Sequence, residues 1–127
     1  MKLVGHGIDI ADISKIQEML EPRPVALRGY FTARERSALP DGPRRWPHVA
    51  GRLAVKEAVV KALCTGFVGE LTWTDVEVLS RDTGAPLVEL SGEASRVAEV
   101  LGVTSWLVSV SHTTASAVGS AIAVGDG

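Results

Sequence analysis

The sequence predicts an α+β fold in which an antiparallel sheet packs against one long central helix and several shorter helices. The main observation is a helical segment at about residues 46–64 that is apolar on nearly every side, which is typical of a helix inside a protein. Shorter helical patterns precede this segment, and alternating strand patterns separated by turn residues follow it. Helices gathered early and an antiparallel sheet late indicate the α+β class.

The first third of the chain is predicted to contain one strand and several short helices. The predicted elements are a strand at 2–10, a helix at 11–21, a short helix at 25–31, another short helix before Pro40, and a turn at 41–43. Asp9 is expected to end the strand, and Asp12 to cap the helix that follows. Pro22-Arg-Pro24 breaks that helix, and Thr32-Ala-Arg-Glu35 is a capping box that opens another.

The remainder is predicted to alternate between the long helix, a hairpin, one further helix and a pair of final strands. Thr65-Gly66 stops the long helix. The predicted elements that follow are strands at 74–80 and 87–90 joined by a turn at 81–84, a helix from 91 to Gly102, and strands at 105–111 and 117–124.

Composition predicts an ordinary globular domain. The 127 residues are 46% hydrophobic and 22% charged, which suffices for one domain over residues 1–127 with a real core. No apolar run is long enough to span a membrane, and the first residues lack the layout of a signal peptide. The single cysteine, Cys64, excludes an internal disulfide framework. We therefore expect a cytoplasmic protein that binds no membrane.

Charge is distributed unevenly along the chain. Residues 13–52 carry eight Lys or Arg against four acidic residues, whereas the whole chain has a net charge of −2. One surface built for an anionic partner would explain this basic segment, although scattered solvated charge would explain it as well. The overall negative charge and the lack of a broad basic groove argue against nucleic acid as the partner.

The long helix carries Lys56, Glu57 and Lys61 among apolar neighbours, and such charges require partners because burying an unpaired charge is costly. Glu57 and Lys61 are four residues apart and share a face, on which a bound group is expected. Together with Asp9, Glu57 forms the pair of carboxylates that Mg²⁺ uses, and Arg52 and Lys61 would then hold phosphates. Alternatively, Asp9 is a cap or turn residue, and Glu57 forms an ion pair with Lys61.

The other motifs do not indicate a catalytic, zinc or nucleotide-binding site. Ser111 and His112 are neighbours in a predicted strand and point to opposite faces, so they do not form a nucleophile and base pair. The three histidines and one cysteine show no zinc spacing, and there is neither a dinucleotide-binding fingerprint nor a phosphate-binding P-loop. Gly5 and Gly7 are explained by a close approach of two backbones.

A set of short motifs runs through nearly the whole chain. They are Gly7-Ile-Asp-Ile10, Phe31-Thr32 with Glu35, Arg52-Leu-Ala-Val-Lys-Glu-Ala58 with Lys61-Ala-Leu63, Thr65-Gly66, Asp75-Val-Glu-Val78, Gly84-Ala-Pro86, Leu90-Ser-Gly92 and Val108-Ser-Val-Ser-His112. Each motif is common, but in this order they resemble the holo-acyl-carrier-protein synthase family of small phosphopantetheinyl transferases. Two departures are mild: Asp12 stands where the family commonly has Glu, and Leu53-Ala-Val-Lys-Glu57 stands where it commonly has Phe-Ala-Ala-Lys-Glu.

The resemblance implies transfer of 4′-phosphopantetheine from coenzyme A to a serine of apo acyl carrier protein, with release of adenosine 3′,5′-bisphosphate. Asp9 and Glu57 match the family's Mg²⁺ ligands, and Lys61 matches a lysine that stabilises the transferring phosphate, so these three are the expected catalytic residues. The resemblance leaves open whether Glu57 or a water held by the metal removes the serine proton. The residues expected to bind coenzyme A are Arg52, Lys61, Gly66, Pro86, Ser111, His112 and Thr113.

The resemblance also implies partners. The helix predicted at 11–21 would dock the acidic recognition helix of the carrier protein through Lys15, Met19, Arg23 and Arg28, in keeping with the basic segment. A homotrimer with active sites between subunits, without fused domains, is expected. Two other functions fit the residues: a non-catalytic carrier-protein or nucleotide-binding module that keeps the fold, and a Mg²⁺-dependent hydrolase or nuclease.

Overall fold

The computed structural model of the chain describes residues 1–66 and 69–127 and has the predicted α+β architecture. Its helices and strands are β1 (Lys2–Asp12), α1 (Ile13–Leu20), α2 (Leu27–Tyr30), α3 (Ala33–Ser37), α4 (Arg45–Ala62), β2 (Val76–Ser80), β3 (Pro86–Leu90), α5 (Gly92–Leu101), β4 (Val103–His112) and β5 (Ser116–Gly125). The strands form two antiparallel sheets rather than one: β1-β5-β4 and the β2-β3 hairpin. No helix in the described ranges is both long enough and apolar enough to cross a membrane.

The first strand is longer than predicted. Asp9 does not end β1 but pairs with Gly119 of β5, and the pairing continues to Asp12 opposite Ser116. Asp12 then caps α1 as predicted, since its Oδ1 accepts the backbone N–H of Lys15 at 3.2 Å. The strand continues past Asp9 because a partner strand more than a hundred residues away satisfies its backbone groups.

The boundaries of two other elements also differ from the prediction. The short helix predicted at 25–31 is split into a 3₁₀ turn at Pro24–Ala26 followed by α2. The strand predicted from residue 74 begins at Val76, because Trp73–Asp75 form a 3₁₀ turn. The capping box is confirmed at α3, where Thr32 accepts the Glu35 amide and Glu35 accepts the Thr32 amide.

The central helix α4 lies directly against the backbone of β1 and β5. A Cβ atom added to Gly7 would lie 1.9 Å from the carbonyl oxygen of Ala58, and one added to Gly5 would lie 2.0 Å from that of Ala62. On β5, a Cβ at Gly119 would meet the backbone of Ala54 at 2.5 Å. The close approach predicted for the Gly5-x-Gly7 pair is therefore confirmed, and it brings α4 within reach of the side chains on the same face of β1.

Lys56 of α4 is fully buried, and its charge is compensated within the protein rather than by a ligand. Its Nζ donates to Glu35 Oε1 at 2.9 Å, to the carbonyl of Trp73 at 3.1 Å and to the carbonyl of Val76. The second carboxylate oxygen of Glu35 accepts the Val78 amide at 3.0 Å. This pair ties α3, α4 and β2 together, so the partner that a buried charge requires comes from within the protein.

Candidate active site

The strand period and the glycines of β1 place Asp9 against α4. Side chains alternate along a strand, so Asp9 lies on the same face as Gly5 and Gly7, and α4 packs on that face. There the Nζ of Lys61 donates to Asp9 Oδ1 at 2.9 Å and to the carbonyl of Ile8 at 3.0 Å. The structure therefore brings together the side chains that sequence spacing had singled out.

Electrostatics links Glu57 to the same cluster. Burial is the main cause that raises the pKa of Glu57, and the negative charge of Asp9 raises it further, while Lys61 acts in the opposite direction. The pKa of Lys61 is raised in turn, first by its hydrogen bond to Asp9 and then by the charge of Asp9. The ion pair of Lys61 is with Asp9 rather than with Glu57, so the simple Glu57–Lys61 pair considered above is not what the structure contains.

The donor set at Asp9 and Glu57 fits a hard divalent cation. No cluster of three or more His, Cys, Asp or Glu side chains that could hold a metal ion occurs among residues 1–66 and 69–127. Mg²⁺ commonly binds through one or two carboxylates and completes its coordination with waters and substrate phosphates. The mutual repulsion that raises the pKa of Glu57 is the electrostatic condition that a cation relieves.

A cavity of about 300 Å³ lies at the start of α4, beside β4. It brings together the predicted phosphate contacts Arg52 and His112, and Arg44 and His48 line it as well. Arg52 is only 7% exposed and donates to Ser80 Oγ at 2.6 Å, and burial lowers its pKa.

Sequence reasoning missed Arg44 and His48, although a signal was present. Arg44, His48 and Arg52 follow one another at intervals of four residues, which places them on one face of a helix. Three prolines, Pro40, Pro43 and Pro47, also line the cavity. Their fixed backbone angles and missing N–H groups make this rim stiff, so little conformational entropy remains to be lost when a ligand enters.

The structure does not bring the other predicted coenzyme A residues into this cavity. Ser111 points to the face of β4 opposite His112, and Thr113 lies in the β4–β5 turn, where its Oγ1 accepts backbone amides of that turn. Pro86 lies on a separate groove between β3 and β4. Gly66 follows the end of α4. The roles of these residues in binding remain predictions.

The predicted docking residues lie at the surface. Lys15, Met19 and Arg23 succeed one another at intervals of four along and just beyond α1, and all three are exposed, as is Arg28. Arg23 Nη1 donates to the carbonyl of Met19 at 3.1 Å, which holds its charge over the end of the helix. The arrangement is a basic strip with an apolar centre, and its role in docking a carrier protein remains a prediction.

Comparison of the sequence with known proteins gives a consistent family. The sequence model described as the 4′-phosphopantetheinyl transferase superfamily matches residues 5–116. A holo-[acyl-carrier-protein] synthase from Streptomyces avermitilis is 43% identical over 128 residues, with both chains fully covered. Another from Caldanaerobacter subterraneus subsp. tengcongensis is 40% identical over 119 residues, covering 94% of this chain and 93% of that protein.

Comparison with solved structures indicates the same family as the sequence comparison. The crystal structure of a holo-(acyl-carrier-protein) synthase from Bacillus anthracis str. Ames in complex with CoA (3′,5′-ADP) superposes with a TM-score of 0.81 at 31% identity, covering 98% of each chain. The match extends over the sheet, α4 and the short helices that position the residues described above. The resemblance expected from the sequence motifs is therefore confirmed, and the chain belongs to the 4′-phosphopantetheinyl transferase superfamily.

Proposed function

We propose that this chain is a Mg²⁺-dependent holo-acyl-carrier-protein synthase, which transfers 4′-phosphopantetheine from coenzyme A to a serine of apo acyl carrier protein. The observation that carries the proposal is the meeting of Asp9, Glu57 and Lys61 where β1 touches α4. A separate cavity lined by basic side chains lies at the start of the same helix. Family membership and the named relatives support the reaction. We place the enzyme in the cytoplasm and assign it one domain over residues 1–127.

In the proposed reaction, the serine oxygen attacks the phosphorus that carries pantetheine. The new serine O–P bond forms, the anhydride P–O bond breaks, and adenosine 3′,5′-bisphosphate leaves with the bonding electrons. The serine proton passes to a base, and we assign Glu57 to this role because its carboxylate lies in the cluster with Asp9 and Lys61. Arg52 and His112 would hold phosphates of coenzyme A in the cavity beside them.

Asp9 and Glu57 are the residues that would hold Mg²⁺. When bound, the ion would orient the pyrophosphate and offset charge on the leaving phosphate. Lys61 lies on the same face and is half exposed, with its Nζ turned toward Asp9. From there its ammonium group would stabilise negative charge on the phosphate in transfer.

Two competing functions predict different products. A hydrolase would release adenosine 3′,5′-bisphosphate from coenzyme A without any acceptor, whereas a transferase releases it only when apo carrier protein is present. A binding module would release none. Measuring the bisphosphate by chromatography with and without apo carrier protein therefore separates the three, and release independent of the acceptor would overturn the proposed transfer.

Replacing Lys61 with alanine is expected to lower kcat by about 10²–10³-fold and to change coenzyme A affinity much less, because the charge that Lys61 meets grows in the transition state. Steady-state transfer kinetics and a direct binding titration measure the two quantities separately. Lys2→Ala removes an exposed lysine of β1, outside the cluster, and serves as the control. An unchanged kcat in Lys61→Ala would refute the assigned role.

Replacing Arg23 with glutamate is expected to raise the KM for acyl carrier protein by about tenfold and to leave coenzyme A binding unaltered, because it reverses a charge in the basic strip formed by Lys15, Met19, Arg23 and Arg28.

The KM of the unaltered enzyme for acyl carrier protein should also rise with salt concentration, since salt screens charges over roughly 8–10 Å at physiological ionic strength. Lys2→Glu is the matched charge reversal outside the strip. A flat salt profile together with an unchanged KM would show that docking does not use these charges.

We also propose that the chain assembles as a homotrimer with active sites between subunits. The face of the three-stranded sheet that points away from α4 carries large exposed apolar side chains, among them Ile8 (56% exposed), Ile10 (67%) and Leu107 (56%). Large exposed apolar side chains that share one face of a sheet are typical of subunit interfaces.

Ile10→Glu is therefore expected to yield monomers in sedimentation experiments and to lower transfer activity with them. Val100→Glu changes a comparably exposed apolar residue on α5, at 75% exposure, and should leave the assembly intact. If Ile10→Glu remained trimeric, this face would not be the interface. An unaltered protein that sedimented as a monomer would overturn the trimer itself.

A further inference from the structure

The cavity at the start of α4 presents an unusual row of basic side chains. Arg44, His48 and Arg52 enter it from one face of the helix and its preceding turn, and His112 enters it from β4. The remaining lining residues are apolar, proline or glycine, and none is acidic. Every titratable group that faces His48 across the cavity is therefore basic.

Few of these basic groups have partners within the protein. In the part of the chain that the structure describes, neither Arg44 nor Arg52 forms an ion pair, and Arg52 donates only to the neutral hydroxyl of Ser80. The half-buried imidazole of His48 makes no side-chain hydrogen bond to any of residues 1–66 or 69–127. Donors left unused inside a cavity are available to a ligand that accepts hydrogen bonds.

The surroundings keep His48 neutral in the free protein. Burial, followed by the charges of Arg52 and Arg44, lowers the pKa of His48 to about 4. A neutral imidazole offers one N–H donor, whereas the protonated ring offers two donors and a positive charge. An anion placed among these three side chains would offset the two guanidinium charges and remove much of the reason for keeping the ring neutral.

We propose that His48 binds a phosphate group of the nucleotide substrate in its protonated form, so that the ligand and a proton enter the cavity together. This inference rests on the proposed function, which supplies coenzyme A and adenosine 3′,5′-bisphosphate as the phosphate-bearing ligands. His48 thereby becomes a third cation beside Arg44 and Arg52, and it is a binding residue rather than a catalytic one.

The direction of the pH dependence follows from linkage. The pKa of His48 is low in the free protein and raised in the complex, so binding takes up a proton at any pH between these two values. Affinity for the phosphate ligand is therefore greatest at the acidic end of that interval, and it falls as pH rises through the pKa of the complex. A histidine that merely fills space would give binding that is independent of its own protonation.

The test is isothermal titration calorimetry of the purified protein with adenosine 3′,5′-bisphosphate, in buffers of different ionisation enthalpy between pH 6 and 8. The slope of the observed enthalpy against the buffer enthalpy gives the number of protons taken up. Any proton exchange by the ligand phosphates is shared by all variants and cancels in the comparison. Glu99→Gln, which alters an exposed residue of α5 that does not line the cavity, is the control.

His48→Gln keeps a hydrogen-bond donor but cannot become charged. It is expected to weaken binding about tenfold at pH 6 and about twofold at pH 8, as loss of a charge-assisted hydrogen bond predicts, and to lower proton uptake. His48→Lys supplies a charge without a proton exchange in this range, so it should keep most of the affinity and lose the extra proton uptake.

Two results would overturn the inference, and they are distinguishable. Equal proton uptake in the unaltered protein and in His48→Gln would show that His48 does not titrate on binding, even though the ligand binds. If the unaltered protein failed to bind the bisphosphate or coenzyme A at any pH, the proposed function itself would fall, and the inference with it.

Discussion

Replacing Glu57 with glutamine, or Asp9 with asparagine, is expected to lower the rate of carrier-protein modification by about 10³-fold or more. Each change removes one of the two carboxylates that meet where β1 touches α4. Mg²⁺ sites built from so few protein ligands lose much of their affinity with either one, and phosphoryl transfer depends on such charge compensation. Initial rates of holo carrier-protein formation at saturating substrates measure the loss.

The unfolding temperature of the variants distinguishes a loss of catalysis from a loss of folded protein. Glu57→Gln removes a carboxylate that is partly buried and repelled by Asp9, so the variant should unfold at the same temperature as the unaltered protein or at a higher one. Glu99→Gln, an exposed change on α5, is the matched control for activity. If both Asp9→Asn and Glu57→Gln retained full activity, the metal assignment would have to be abandoned.

Glu35→Gln is expected to lower the free energy of unfolding by about 3–5 kcal/mol, the typical cost of leaving a buried charge without its partner. Lys56 is fully buried, and Glu35 is its ion-pair partner at 2.9 Å. Burial already lowers the pKa of Lys56, while Glu35 supports the charged form. Urea unfolding at a fixed protein concentration measures the change, because assembly would also contribute to stability.

The double variant Glu35→Gln, Lys56→Met tests whether the unpaired charge of Lys56 causes the loss of stability. Removing both charges leaves an apolar side chain in the same space, so much of the lost stability should return. Arg34→Gln breaks exposed ion pairs with Glu77 and Glu89 and should cost less than about 1 kcal/mol. A loss as small as this in Glu35→Gln would mean that the buried pair does not hold α3, α4 and β2 together.

Local sequence signals predicted the elements whose causes are local. The capping box at Thr32 and the length of α4 depend on residues a few positions apart, and both appear in the structure as expected. The end of β1 depends on pairing with β5, so Asp9 could not be recognised as a mid-strand residue from its neighbours. The separation into two sheets is likewise a property of strands distant in sequence.

The candidate site also combines features with local causes, which the sequence predicted, and contacts between distant residues, which it did not. Spacing in α4 placed Glu57 and Lys61 on one face, and the Gly5-x-Gly7 pattern indicated where a helix could approach β1. The partner of Lys61 proved to be Asp9, because the contact crosses from helix to strand. The partner of Lys56 could not be identified from spacing, because Glu35 comes from a different helix.

The most direct test of the account is the intact mass of a purified apo acyl carrier protein after incubation with this protein, coenzyme A and Mg²⁺, beside a control containing EDTA. The account predicts a gain of one phosphopantetheine, about 340 Da from its formula, that disappears with EDTA. A gain that persisted in EDTA would contradict the metal role of Asp9 and Glu57. No gain with any of several carrier proteins would contradict the transfer reaction itself.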